Sequence, residues 1–186
     1  MTSLEVKSFG DTTNFPCFVA GTHVFTEDGY KPIEKVSSDD YLMTHTGRFQ
    51  PILKIQEQHV PSGTYFYKLH IKYHQYPIVG TGEHPFYVRT RLGSDSDALS
   101  PPYWKPLHAL TPDDYCGTIS ATALAAIATH KDQFVEIMPS GNRIWWTRVD
   151  SNSSMPPTSS PVHVYNFEVA EDNSYVVENT IVHNCQ

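Results

Sequence analysis

From Cys17 onward the chain is written in short apolar runs with a period of two, broken by turn residues. Phe18 and Val19, then Val24 and Phe25, followed by Glu27-Asp28-Gly29, predict a strand, a tight Asp-Gly turn and a returning strand. Residues 31–44 alternate briefly and pass through an acidic turn into Tyr41-Leu42-Met43. Residues 50–60 and 64–79 are rich in Ile, Leu, Val, Tyr and Phe, and Tyr65, Tyr67, Leu69, Ile71 and Tyr73 fall on one face of an extended chain. Only residues 121–130, which are rich in alanine, predict a helix. Residues 150–161 (DSNSSMPPTSSP) offer nothing to bury and predict a loop or a disordered strap. After them, Val162 to Val169 and Tyr175 to Val182 predict two closing strands. The class that follows is all-β.

One ungapped self-comparison sharpens that picture. Residues 32–44 align with residues 106–118: the proline, two apolar positions, Asp-Asp-Tyr (39–41 and 113–115) and a final threonine recur in register. A Gly-Thr strand precedes each copy, Val19-Ala20-Gly21-Thr22 and Ile78-Val79-Gly80-Thr81, at different spacings. The expectation is a duplicated β unit whose halves pack about a pseudo-two-fold axis.

Length and charge narrow the function classes. The 186 residues suit one domain, and 39% hydrophobic with 12% aromatic residues predict a folded core. Thirteen basic against twenty acidic residues, a net charge of -7, lack the footprint of a nucleic-acid binder. No long apolar stretch predicts a membrane span, and residues 1–16 lack the layout of a secretory signal. Those residues read as a flank outside the domain. Cys17, Cys116 and Cys185 form neither a disulfide framework nor a zinc motif, and Cys116 reads as an incidental buried thiol. His70 and His74 have helical metal-ligand spacing on a chain that alternates like a strand, so they read as solvated. Neither a cofactor nor a metal is expected.

The tail carries the chemistry. An asparagine side-chain amide can attack its own backbone carbonyl and close a succinimide, breaking the following peptide bond, and His183 is placed to assist Asn184 in that step. Cys185, just past that bond, is a thiol able to accept an acyl group beforehand. At the other end stands Cys17, and between them Thr81 and His84 form a Thr-x-x-His pair.

Together these residues resemble an intein of the Hint superfamily, which also holds hedgehog autoprocessing and bacterial intein-like domains. The resemblance runs from Cys17 to Asn184 through CFVAGTHVFTEDGYKPIEKV, VGTGEHPFYV and VYNFEVAEDNSYVVENTIVHN, followed by Cys185. It implies a horseshoe-shaped all-β fold with both junctions in one cleft. With no LAGLIDADG-like segment, it implies a mini-intein of residues 17–184, with 185–186 as a downstream flank. The implied roles are Cys17 as first nucleophile, His84 protonating the departing Cys17 amine, Thr81 holding the scissile amide, Cys185 as second nucleophile, and Asn184 cyclising with His183. The implied process is single-turnover, acts on its own flanks as a monomer without a partner, nucleic acid or membrane, and follows its host in the cytoplasm.

Three positions depart from the family pattern. Asn166 stands where Asp is frequent, and an amide cannot serve as a base, which leaves Asp172 or Glu171 to substitute. Asn173 stands where many relatives have His, and Pro16 before the first scissile bond is expected to slow the first step. Two alternatives stay open at this level: a Hint-type domain that cleaves without ligating, and a non-catalytic β-rich binding module.

Overall fold

The computed structural model describes residues 16–94, 97–119 and 132–184. The expected helix at 121–130, most of the upstream flank, and Cys185 with Gln186 lie outside them. The described chain is fifteen strands: β1 (Phe18–Val19), β2 (His23–Thr26), β3 (Gly29–Pro32), β4 (Tyr41–Met43), β5 (Phe49–Val60), β6 (Phe66–Ile71), β7 (Ile78–Thr81), β8 (Pro85–Thr90), β9 (Tyr103–Pro106), β10 (Asp114–Thr118), β11 (Gln133–Ile137), β12 (Arg143–Ser154), β13 (Val162–Val169), β14 (Ser174–Val177) and β15 (Thr180–His183). Two 3-10 turns, Ile33–Lys35 and Leu107–Ala109, complete it. The all-β expectation holds. Among the described residues no helix is long and apolar enough to cross a membrane.

The sequence repeat is a structural repeat. In both copies a 3-10 turn follows the proline, and a buried aspartate, Asp40 or Asp114, then receives a backbone N–H from Ser37 or Thr111 and the ammonium of Lys31 or Lys105. Strand β2 pairs with β3 and β4 as β8 pairs with β9 and β10. The correspondence extends to the long strands: β4 with β5 and β5 with β13 match β10 with β12 and β12 with β6. Each long strand carries one extra residue, Leu53 or Asp150, four positions beyond the matched residues Phe49 and Trp146. Bulges of this kind bend a strand from one partner toward the next.

Register corrects the expected pairing of the Gly-Thr strands. Thr22 N–H donates to the Val19 carbonyl and Ile33 N–H to the Thr22 carbonyl, while His84 N–H donates to Thr81 and Leu107 N–H to His84. The counterpart of Val19–Thr22 is therefore Thr81–His84, three residues later than the Gly-Thr match suggested. Phe18 and Gly80, which are counterparts, also pair with each other where β1 meets β7.

Three further expectations change. Residues 150–154 are not a loop, because they continue β12 and pair with β6, and Asn152 donates its side-chain amide to the carbonyls of Leu107 and Leu110. Backbone pairing with a neighbouring strand overrides their low strand propensity. The closing segment holds three strands rather than two. Tyr73 leaves the alternation of β6 and sits in a turn with φ 66°.

The main core is built from matched positions: Val24 and Phe86, Ile33 and Leu107, Val36 and Leu110, Leu42 and Cys116. Cys116 is thus a core-filling residue, and burial pushes its thiol pKa up, which makes it inert. At Gly80 a Cβ would lie 3.0 Å from both the Cys17 carbonyl oxygen and the Phe18 ring. Gly80→Ala is expected to cost about 1–3 kcal/mol through overpacking, read as a lowered denaturant midpoint; an unchanged midpoint would contradict this packing.

Candidate active site

The β1–β7 contact gives Cys17 its surroundings. Cys17 is 1% exposed. Its N–H donates to Thr81 Oγ1 at 2.9 Å, and Thr81 N–H donates back to the Cys17 carbonyl at 3.0 Å. The peptide nitrogen between Pro16 and Cys17 is therefore held by the threonine of the Thr-x-x-His pair. Gln58, projecting from β5, donates its side-chain amide to Cys17 Sγ at 3.4 Å.

Asn166 closes on the same peptide from β13. Fully buried, it donates Nδ2–H to the Pro16 carbonyl at 2.6 Å. The amide cannot turn over, because its oxygen accepts from the Phe167 N–H at 2.8 Å and from the Tyr175 hydroxyl at 2.5 Å. An ionised aspartate could not present a donor here, so the residue that looked like a lost base supplies an N–H to the carbonyl next to Cys17. The proposed substitutes are engaged elsewhere. Asp172 accepts from Arg48, Thr44 and Thr46, and the Arg48 hydrogen bond is the main reason its pKa falls to about 2; Glu171 pairs with Arg48 at the surface.

His84 joins this end of the chain to the other. Its ring lies 4.1 Å from that of Phe18, and its Nε2–H donates to the His183 carbonyl at 2.9 Å. The ring is fully buried, its Nδ1 has no hydrogen-bond partner, and burial holds its pKa down at about 3, so it is neutral near pH 7. The hydrogen bond from the Cys17 N–H runs to Thr81, and the one from His84 runs to the C-terminal segment.

On β15, His183 donates Nδ1–H to the Asn184 carbonyl at 2.6 Å, and its ring stands edge-to-face with Trp104 at 4.8 Å. Asn184 is 2% exposed. Its backbone N–H donates to the Asn173 carbonyl, and its carboxamide, with oxygen toward the Val169 N–H at 2.8 Å, gives its nitrogen to the same Asn173 carbonyl at 2.9 Å. Asn173 contributes through its backbone, in a left-handed conformation of φ 52°.

Five of the six expected site residues, Cys17, Thr81, His84, His183 and Asn184, thus form one connected set, and Cys185 lies outside the described residues. Asn166 and Gln58 join them. A signal for Asn166 was present in its motif position, whereas Gln58 is one polar residue on a long strand and carries none. His74, expected to be solvated, is half-buried with its Nδ1 shut away from solvent, and burial depresses its pKa to about 4. Among the described residues no cluster of His, Cys, Asp and Glu could hold a metal ion.

A family model described as the Hint domain matches residues 16–78. No curated protein sequence matches the chain. Among solved structures it is similar to the bacterial intein-like domain from Clostridium thermocellum, at 23% identity and TM-score 0.59, covering 90% of this chain and 98% of that one. It is also similar to a DnaB intein from Synechocystis sp. PCC 6803 (14% identity, TM-score 0.58, 92% and 99% covered) and to the DnaX mini intein from Spirulina platensis (17%, 0.57, 90% and 99%). The chain shares the fold of these intein and intein-like structures.

The buried neutral His84 has a stability consequence. Its folded pKa, about 3, lies below the ordinary 6.5, so the unfolded chain binds the proton first as pH falls. Its contribution is complete above about pH 6.5 and shrinks toward pH 3. Between pH 7 and pH 5 the loss from His84 alone is about 2 kcal/mol, with His74 adding in the same direction. Urea unfolding at the two pH values should show this fall, and a pH-independent midpoint would contradict the buried neutral ring.

Proposed function

We propose that this chain, which has the Hint fold, is a mini-intein of residues 17–184 that excises itself and joins its flanks. The observation that carries the reading is the convergence on one connected site of two peptide groups far apart in sequence. The Pro16 carbonyl meets Asn166, the Cys17 N–H meets Thr81, the Asn184 carbonyl meets His183, and His84 ties the two halves together.

In the first step Cys17 Sγ attacks the Pro16 carbonyl carbon. The C–S bond forms, the C–N bond to Cys17 breaks, and the thiol proton ends on the freed amine. An amide is more stable than a thioester, so this step needs the developing oxyanion stabilised. Asn166 Nδ2, at 2.6 Å from that oxygen, supplies a fixed donor in a site closed to water. Thr81 holds the nitrogen end of the same amide, and Gln58 holds the sulfur. His84 is suited to proton movement through its unpartnered Nδ1, since its other nitrogen is committed to His183.

In the second step the Cys185 thiol displaces Cys17 from the thioester, so the upstream acyl group moves to Cys185 and the Cys17 thiol is restored. Asn184 Nδ2 then attacks its own carbonyl carbon. The bond to the Cys185 nitrogen breaks, and a succinimide remains on the excised domain. His183 donates to the carbonyl oxygen under attack. The liberated Cys185 amine takes the acyl group from its own sulfur through a five-membered ring, a downhill intramolecular step. The process needs no partner or cofactor and turns over once. Pro16 restricts the approach to the first carbonyl and makes the first step the slow one.

Two variants test the assignment. Asn166→Asp replaces the donor by a carboxylate facing the oxygen that gains charge, and is expected to slow thiol-induced cleavage at Cys17 by about 10²–10³; a rate equal to that of the parent would remove Asn166 from the step. Cys185→Ala should abolish the joined product while cleavage at both ends persists. Joined flanks from that variant would reject Cys185 as the acceptor, and a parent that cleaves without ever joining would favour the cleaving type of Hint domain.

A further inference from the structure

The hairpin of β14 and β15 ends at one side in the pair Ser174 and His183, beside the active site, and at the other in the turn Glu178–Asn179. Under that turn lies a cleft of about 320 Å³, lined by His23, Tyr30, His74, Tyr76, Glu178 and Asn179. Its nearest lining residue on this hairpin, Asn179, is about 13 Å along the strand from His183 at ordinary strand rise. None of these residues takes part in the chemistry above.

The walls have one chemical character. Tyr30 and Tyr76 are both exposed, and the Tyr76 ring lies 5.8 Å from that of His23. Glu178 is nearly buried, at 11% side-chain exposure, yet sits at φ 45°, and Asn179 at φ 65°. A two-residue hairpin turn requires both values, and it favours Asn and Gly over a glutamate at the first position. The glutamate is held in place there: its Oε1 accepts both the N–H of His23 and the His23 Nδ1–H, at 2.7 and 2.8 Å. Both of those bonds use Oε1, and Glu178 lines the cleft beside Asn179, whose side-chain oxygen receives the Tyr30 hydroxyl. Burial holds the His74 pKa down at about 4, so its ring is neutral near pH 7 and adds no positive charge to the wall. Aromatic faces beside a carboxylate and a carboxamide oxygen complement a cation that is flat or compact and rich in donors.

We propose that this cleft binds an organic cation, the guanidinium or ammonium group of a basic side chain. The aromatic rings face the cation, and Glu178 Oε2 accepts its hydrogen bonds. The inference is independent of self-excision, because the cleft and the junction chemistry share no residue.

The test is a two-dimensional amide NMR titration of the 186-residue chain at pH 8. The probe is N-acetyl-arginine amide, with N-acetyl-citrulline amide as its neutral analogue. Saturable shifts at Tyr76, Glu178 and Asn179 are expected with the arginine probe and not with citrulline. Tyr76→Leu, at an exposed position, should weaken binding about fivefold, and Glu178→Gln should do so at least as much. Absence of saturable shifts at tens of millimolar, equal binding of citrulline, or an unchanged affinity in the folded Glu178→Gln or Tyr76→Leu variant would each overturn the proposal.

Discussion

Everything in the site depends on how closely two short strands can approach. Where β1 and β7 pair through Phe18 and Gly80, the backbone of Cys17 reaches Thr81 and exchanges two hydrogen bonds with it. That distance exists only because residue 80 has no side chain; a single methyl group would press on the Cys17 carbonyl and on the Phe18 ring. From this contact the rest follows in sequence. Phe18 supports the His84 ring, His84 reaches the His183 carbonyl, and His183 addresses the carbonyl of Asn184. The two ends of the domain are joined by a continuous line of three contacts, Phe18 to His84, His84 to His183 and His183 to Asn184.

The duplicated scaffold explains how a small all-β chain can position so many groups. Both halves make the same turn into the same 3-10 segment, and both anchor a buried aspartate with a lysine. A salt bridge of that kind adds little net stability, but removing the lysine would strand the buried aspartate's charge. Onto this shared frame the halves attach different residues at corresponding places. Val19 and Thr22 occupy in one half the positions that Thr81 and His84 occupy in the other. Thr22 only closes its own turn by donating to the Val19 carbonyl, whereas His84 spans to the C-terminal strand. The fold is nearly symmetric in its pairings and asymmetric in its chemistry.

How much of this was legible in the sequence depends on the range of the interaction involved. The Asp28-Gly29 turn, the repeat at residues 32–44 and 106–118, and the end motifs are local signals, and the strands and most of the site residues followed from them. Residues 150–154 read as a loop because Ser and Asn have poor strand propensity, and only the neighbouring β6 reveals why they extend. Shared Gly-Thr letters match Val19–Thr22 to Ile78–Thr81, whereas the hydrogen-bond pattern, which sequence does not display, matches it to Thr81–His84. In the sequence Asn166 shows only what an amide cannot do. Its value as a donor became visible only when β13 brought it to the Pro16 carbonyl, about 150 residues away in the chain. Burial misled at His74 for a similar reason: a strand-like alternation continues past Ile71, but the backbone turns there, and the ring folds under the β14–β15 turn.

The central claim is that the two junctions are cut by groups the fold brings together, and intact-mass spectrometry of the chain incubated with and without a reducing thiol tests it most directly. The account predicts conversion to an excised species of residues 17–184 ending in a succinimide, and a joined product of residues 1–16 with 185–186, with the thiol diverting part of the upstream flank. A single unchanging mass under both conditions, from protein shown to be folded, would contradict it.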